Sequence, residues 1–237
     1  MIKVVKYLFL GGLILAGGVF LFWGLRELLH KRDDRGATRI LLVGASVGKA
    51  WDFTSWPHRM SREGLVFEMV TVYSFDKSVG LEDIFIRPKR KIRFNKRFVK
   101  SLLKPVPRKP DVIILKECAA YFPGDLERYK GLMQDWIALI QVKGMKSVLA
   151  TVIPVTAEHA RRRQNRQESI WAYNDWIRGL ARGQGLFCLD LEKALRVGKS
   201  DRSLNSDFAA EDGLHLNEKA YEVLDRFLLD HVGELKN

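Results

Sequence analysis

Five short runs of β-branched and aliphatic residues recur along the chain, at 39–43, 66–73, 111–115, 147–152 and 186–189, and longer segments with apolar residues at helical spacing separate them. Near-continuous apolar runs suit strands buried on both faces, and the long intervals leave room for right-handed crossovers. The pattern predicts a parallel five-stranded sheet covered by helices, a three-layer α/β/α domain. Between the fourth and fifth runs, Ile170, Trp171, Tyr173, Asn174, Trp176, Ile177 and Leu180 predict a helix over 167–182 that Gly183 and Gly185 stop. Their aromatic rings belong to a core rather than to a site. Asn217 is placed to cap a last helix whose Ala220, Val223, Leu224, Phe227 and Leu228 form one apolar stripe.

The start of the chain follows a different pattern. Residues 7–25 form an uncharged, mostly apolar stretch of 19, which as a helix spans about 28 Å and is long enough to cross a bilayer. Lys3 and Lys6 precede it, Arg26, Lys31 and Arg32 follow it, and no small-x-small cleavage pattern ends it. An uncleaved single-pass anchor over 1–30 is therefore expected, then a polar linker over 31–38 and one domain over 39–237. Both flanks are basic, so charge does not set the orientation. An extracytoplasmic domain at the cell membrane is the working expectation. Gly12 and Ala16 form a small-x-x-x-small pair of the kind that lets membrane helices approach.

Composition adds two constraints. A chain of 237 residues that is 47% hydrophobic accommodates one sizeable core beside such a tail. The formal charge of +12 calls for an anionic environment, and much of it sits in 87–109, RPKRKIRFNKRFVKSLLKPVPRK. That segment has interleaved aromatics but no nucleic-acid-binding motif, so a solvated or membrane-facing basic surface is expected, without nucleic acid. Cys118 and Cys188 have neither CxxC nor Cys/His spacing, which suggests buried thiols and no metal site. His30, His58, His159 and His231 show no ligand spacing and receive no role.

In an open parallel sheet the crevice lies beyond the carboxyl ends of the strands. There the first run leads into Gly44-Ala45-Ser46-Val47-Gly48, a serine in a tight strand-to-helix turn whose glycines permit sharp geometry. The string matches an α/β-hydrolase nucleophile elbow, but only one strand precedes it. It also differs from a P-loop in glycine spacing, and Ala50 stands where a Ser or Thr is needed. Before the last helix comes Glu211-Asp212-Gly213-Leu214-His215-Leu216-Asn217. A serine attacking an ester needs a base for its proton, and the base needs a partner to hold its tautomer; His215 and Asp212 have the chemistry for these roles.

A serine after the first strand combined with an Asp-x-x-His before the last helix resembles the SGNH/GDSL hydrolase family. The resemblance covers about residue 39 to the end and includes 173–176 and 188–191, which look like that family's helix and strand before its final block. It implies a flavodoxin-like sheet in the order 2-1-3-4-5 and ester hydrolysis without metal or cofactor. Ser46 would be the nucleophile, His215 the general base and Asp212 its orienting acid. Ala45 replaces the Asp of the family's usual Gly-Asp-Ser.

The resemblance also implies an oxyanion hole built from the Ser46 amide, a glycine after the second strand and an asparagine after the third. The second donor falls on Gly80 or on the amide of Ser78. The position aligned with the asparagine is Ala119, which leaves a backbone amide or Tyr121 as substitutes. Glu117 falls at the mouth, as a substrate contact or as the partner of a nearby Lys or Arg. The expected substrate is an O-acyl, in particular O-acetyl, ester on a cell-envelope glycan or lipid. Acyl transfer to an alcohol, and a non-catalytic binding subunit of envelope polysaccharide assembly, are the open alternatives.

Overall fold

The computed structural model describes residues 36–77 and 109–236. The apolar stretch 7–25, most of the basic segment 87–109, and Ser78 and Gly80 lie outside the described residues. Among the described residues, no helix is long and apolar enough to cross a membrane.

Five parallel strands, β1 (Thr38–Gly44), β2 (Leu65–Thr71), β3 (Val112–Lys116), β4 (Lys146–Ala150) and β5 (Phe187–Leu189), form one sheet in the order β2-β1-β3-β4-β5. This is the order that the family resemblance implies. The strand ends are level. Gly44 pairs with Thr71, Lys116 with Ala150 and Ala150 with Leu189, and the space beside Gly44 is bounded by Lys116. The loops that follow β1, β3 and β4 therefore start from one ledge.

Side-chain alternation divides the sheet between two cores. Ile40, Leu42, Val112, Ile114 and Val148 pack under α1 (Ser46–Ala50), α2 (Trp56–Arg59), α6 (Leu191–Leu195) and α7 (Glu218–Lys236). Leu41, Val43, Ile113, Leu115 and Leu149 pack under α3 (Leu126–Val142) and α5 (Arg166–Gln184). A short α4 (Ala157–Arg161) lies between β4 and α5 in the chain. On the first face, Trp56 stacks on Phe67 with ring centroids 5.0 Å apart. On the second, α5 buries Ile170, Tyr173, Asn174 and Ile177 and packs half-buried Trp176 against the same core, while Trp171 is half-buried against Arg202.

Capping agrees with the sequence reading at α7, where Asn217 Oδ1 accepts from the Ala220 amide at 3.2 Å. At the end of α5 the stop is Gly185 alone, in the left-handed region at φ 64°, while Gly183 lies inside the helix. The glycines around Ser46 also act otherwise than expected. Neither Gly44 nor Gly48 has a positive φ. A Cβ on Gly48 would come within 2.8 Å of Leu42 Cδ2 and Met69 Cε, so this glycine allows α1 to press against the sheet.

One buried polar link ties the second core to the ledge. Asn174 accepts from the Val152 amide and donates to the Val152 carbonyl, both at 2.8 Å, and also donates to buried Glu192 at 2.7 Å. Glu192 in turn binds Arg178 and Arg202. Asn174→Leu would strand both backbone groups of Val152 in the interior, so a loss of about 3 kcal/mol is expected, readable as a lowered urea midpoint at unchanged slope.

Candidate active site

Ser46 opens α1 directly beyond β1 and is half-buried. Together with His215 it lines a small open pocket whose walls are Val47, Lys116, Cys118, Ala119, Ile153 and Leu214. Three strand ends thus contribute to one cavity, and the loop before α7 closes its side. Asp212 and His215 are both exposed, yet their mutual geometry is tight. Asp212 Oδ2 lies 2.5 Å from His215 Nδ1, while Oδ1 accepts the amides of Leu214 at 2.9 Å and of His215 at 2.8 Å. Partial burial pushes the Asp212 carboxyl up, but the His215 amide and imidazole and the Leu214 amide outweigh it and hold the group at about 2. Asp212 is therefore a carboxylate at any working pH. It accepts the Nδ1 proton, which leaves the His215 Nε2 lone pair free to act as a base.

The loop carrying this pair is fastened from both sides. Ala210 donates to the His215 carbonyl at 2.8 Å, and Asn217 donates to the carbonyls of Asp207 and Ala209. On the other side, the Thr156 amide donates to the Gly213 carbonyl at 3.0 Å. Gly213 has φ +68°, and a Cβ there would meet Thr156 Oγ1 at 2.4 Å.

His159, to which the sequence gave no role, supplies the remaining fastening. Its Nδ1 is 2.7 Å from the Asp212 carbonyl and its Nε2 is 2.8 Å from Arg166 Nη1. A carbonyl only accepts and a guanidinium only donates, so Nδ1 carries the proton and Nε2 the lone pair. Arg166 is anchored in turn by donating through Nε to the Phe122 carbonyl at 2.7 Å. The available signal was position: His159 follows β4 at the carboxyl edge of the sheet, where crevice residues are found.

Other sequence candidates lie elsewhere. Glu117 does not stand at the mouth. Its side chain is fully buried and bound to Lys77 Nζ at 2.8 Å, which corrects the substrate contact and favours the pairing alternative. Burial pushes its carboxyl up to about 7, against the pull of the Lys77 and Lys116 ammonium groups. Tyr121 is not free to replace an oxyanion donor, because its hydroxyl donates to the Val72 carbonyl at 3.2 Å. Ala119 does line the pocket, so the position aligned with the family asparagine offers no side-chain donor there. Both cysteines are free thiols, Cys118 buried and Cys188 half-buried. Among the described residues, no group of three or more His, Cys, Asp or Glu could hold a metal ion.

A family model described as GDSL-like Lipase/Acylhydrolase matches residues 49–223, which include Asp212 and His215 and begin just after Ser46. No curated protein matches the sequence. Among solved structures, the chain is similar to a GDSL-like lipase from Bacteroides thetaiotaomicron (TM-score 0.60, 15% identity, covering 83% of this chain and 88% of that one). It is also similar to a lipase/acylhydrolase from Enterococcus faecalis (0.57, 15%, 82% and 95%). A third is an acetyl xylan esterase (0.56, 17%, 82% and 99%). At these identities the similarity shows a shared fold.

Gly213→Ala tests the fastening. It forces an L-residue into the left-handed region against Thr156. The Leu214 and His215 amides should then exchange with solvent at least about tenfold faster, equivalent to roughly 1.4 kcal/mol of local opening. Unchanged protection would mean that the loop is held by something else.

Proposed function

The chain belongs to the GDSL-like lipase/acylhydrolase family, and on that premise we propose that it is a serine esterase whose triad is Ser46, His215 and Asp212. The observation that carries this reading is that His215, oriented by Asp212 at 2.5 Å, lines the same pocket as Ser46. His215 Nε2 takes the Ser46 proton as Oγ attacks the ester carbonyl, and Asp212 stabilises the imidazolium that results. The same imidazolium protonates the departing alcohol. Water, activated by His215, then releases the acid. The Ser46 amide, at the first position of α1, has no intrahelical acceptor and serves as an oxyanion donor.

The pocket favours a short acyl group. Ala119, Cys118, Ile153 and Leu214 leave little depth around Ser46, which suits acetyl better than a fatty chain. The net charge of +12 suits acidic glycans or headgroups. The apolar run 7–25 would keep the enzyme at the membrane, with its domain on the extracytoplasmic side. The substrate we propose is accordingly an O-acetylated envelope glycan or lipid. Acyl transfer to an alcohol would use the same intermediate and differ only in the second nucleophile.

The first test is fluorophosphonate labelling of the full chain in detergent, followed by acetate release from aryl acetates and acetylated glycans. Labelling and turnover should both fall by at least about 10³-fold in Ser46→Ala and in His215→Ala. His159→Phe, which removes one fastening of the loop and no reacting group, should lower kcat by about tenfold and leave KM nearly unchanged. Folded protein that neither labels nor turns over would point instead to a binding subunit.

A further inference from the structure

Lys116 ends β3, and only 2% of its surface is exposed. Strand alternation places it with Val112 and Ile114, on the face covered by α1 and α7. Ser46 is the first residue of α1, and Lys116, Ser46, Ala119 and His215 all line the one pocket. Its Nζ donates to the Glu117 carbonyl at 3.0 Å. Among the described residues it makes no other hydrogen bond and no ion pair, since the Glu117 carboxylate is engaged by Lys77. An ammonium has three donors, so this one enters the reaction under-used.

We propose that Lys116 supplies the side-chain oxyanion donor that Ala119 cannot. The assignment rests on the esterase reading above and adds a residue to it. As Ser46 Oγ bonds to the carbonyl carbon, the π pair moves onto the carbonyl oxygen and the Ser46 proton passes to His215. Lys116 keeps its proton throughout and forms no covalent bond; its charge faces the oxygen while that oxygen is negative. When the pair returns and the C–O bond to the alcohol breaks, His215 gives its proton to the leaving oxygen.

Such a donor is selective for the transition state. Burial lowers the Lys116 pKa below the ordinary lysine range, and Lys77 adds to this, while Cys118 and Glu117 oppose it. A desolvated cation whose neighbouring carboxylate, Glu117, is already bound to Lys77 gains most when a negative charge appears beside it, so its binding energy is realised in the transition state rather than with the neutral ester. His215, which lines the same pocket, becomes cationic as the oxyanion forms and shares that charge. Tyr121, the other substitute considered, is tied to Val72.

The test compares the native full chain with Lys116→Met and with Lys116→Met/Ala119→Asn, using aryl acetate kinetics and thermal melting. The methionine variant removes a buried charge at similar volume, so it should melt no lower than the native chain. We expect its kcat to drop by about 10²- to 10³-fold with KM little changed. The asparagine should recover at least about tenfold of that loss. The native kcat should also fall on the alkaline side below about pH 10, where an ordinary lysine keeps its proton, and the methionine variant should lack that limb. A methionine variant within about threefold of native kcat overturns the assignment. If that variant does not fold, a native chain with no alkaline limb below about pH 10 overturns it, and a limb there supports it. Native protein without Ser46-dependent turnover sinks the esterase reading and this assignment with it, whereas native turnover with an unaffected methionine variant sinks the assignment alone.

Discussion

Burial of the parallel sheet on both faces is the constraint from which the site follows. Ile40, Leu42, Ile113, Ile114 and Leu115 are all within a few per cent of complete burial, so their strands cannot carry polar chemistry along their length without leaving unpaired groups in the interior. Polar residues are pushed to the level where pairing ends. Because the register aligns Gly44, Lys116, Ala150 and Leu189 at that level, Ser46 after β1, the Lys116–Ala119 segment at the end of β3 and the Thr156–His159 segment after β4 emerge side by side. The Asp212–His215 loop needs only to dock on that ledge.

The ledge also carries an unusual load of buried charge. Lys77, Lys116 and Glu117 are all nearly inaccessible, and only Lys77 and Glu117 pair directly. Desolvating a charge is expensive, and a hydrophobic arrangement of similar volume would generally be as stable or more so. The pair fixes the segment after β2 against β3, since Lys77 Nζ also donates to the Ser74 carbonyl at 3.3 Å. The cluster sets one carboxylate against two lysine side chains, one of which, Lys116, lines the pocket. On the esterase reading a negative charge develops in that pocket, and a lysine already held there is matched to it.

Legibility followed the range of the interaction. The strands, the apolar stripe of α7 and the Asn217 cap were readable because each depends on residues within a turn or a pleat of one another. The Asp212–His215 pair was readable for the same reason, being three positions apart in one loop. Glu117 was ambiguous because its partner lies 40 residues away on another strand's loop. His159 was invisible as a lone histidine, since its meaning comes from a carbonyl 53 positions later and a guanidinium on the next helix. Gly48 was read as a turn residue although the structure uses it for close helix–sheet contact. That contact involves Met69 on β2, which no local pattern identifies.

His159 also shows why tautomer matters as much as distance at this edge. The Asp212 carbonyl demands a proton on Nδ1, and Arg166 demands a lone pair on Nε2. Only one neutral form satisfies both, and an imidazolium would set an N–H against a guanidinium. The Asp212 side chain imposes a parallel demand on His215, whose Nδ1 must carry the proton to donate to the carboxylate. The two histidines therefore hold the same tautomer for different reasons: His159 to position the loop's backbone, and His215 to leave its outer nitrogen unprotonated.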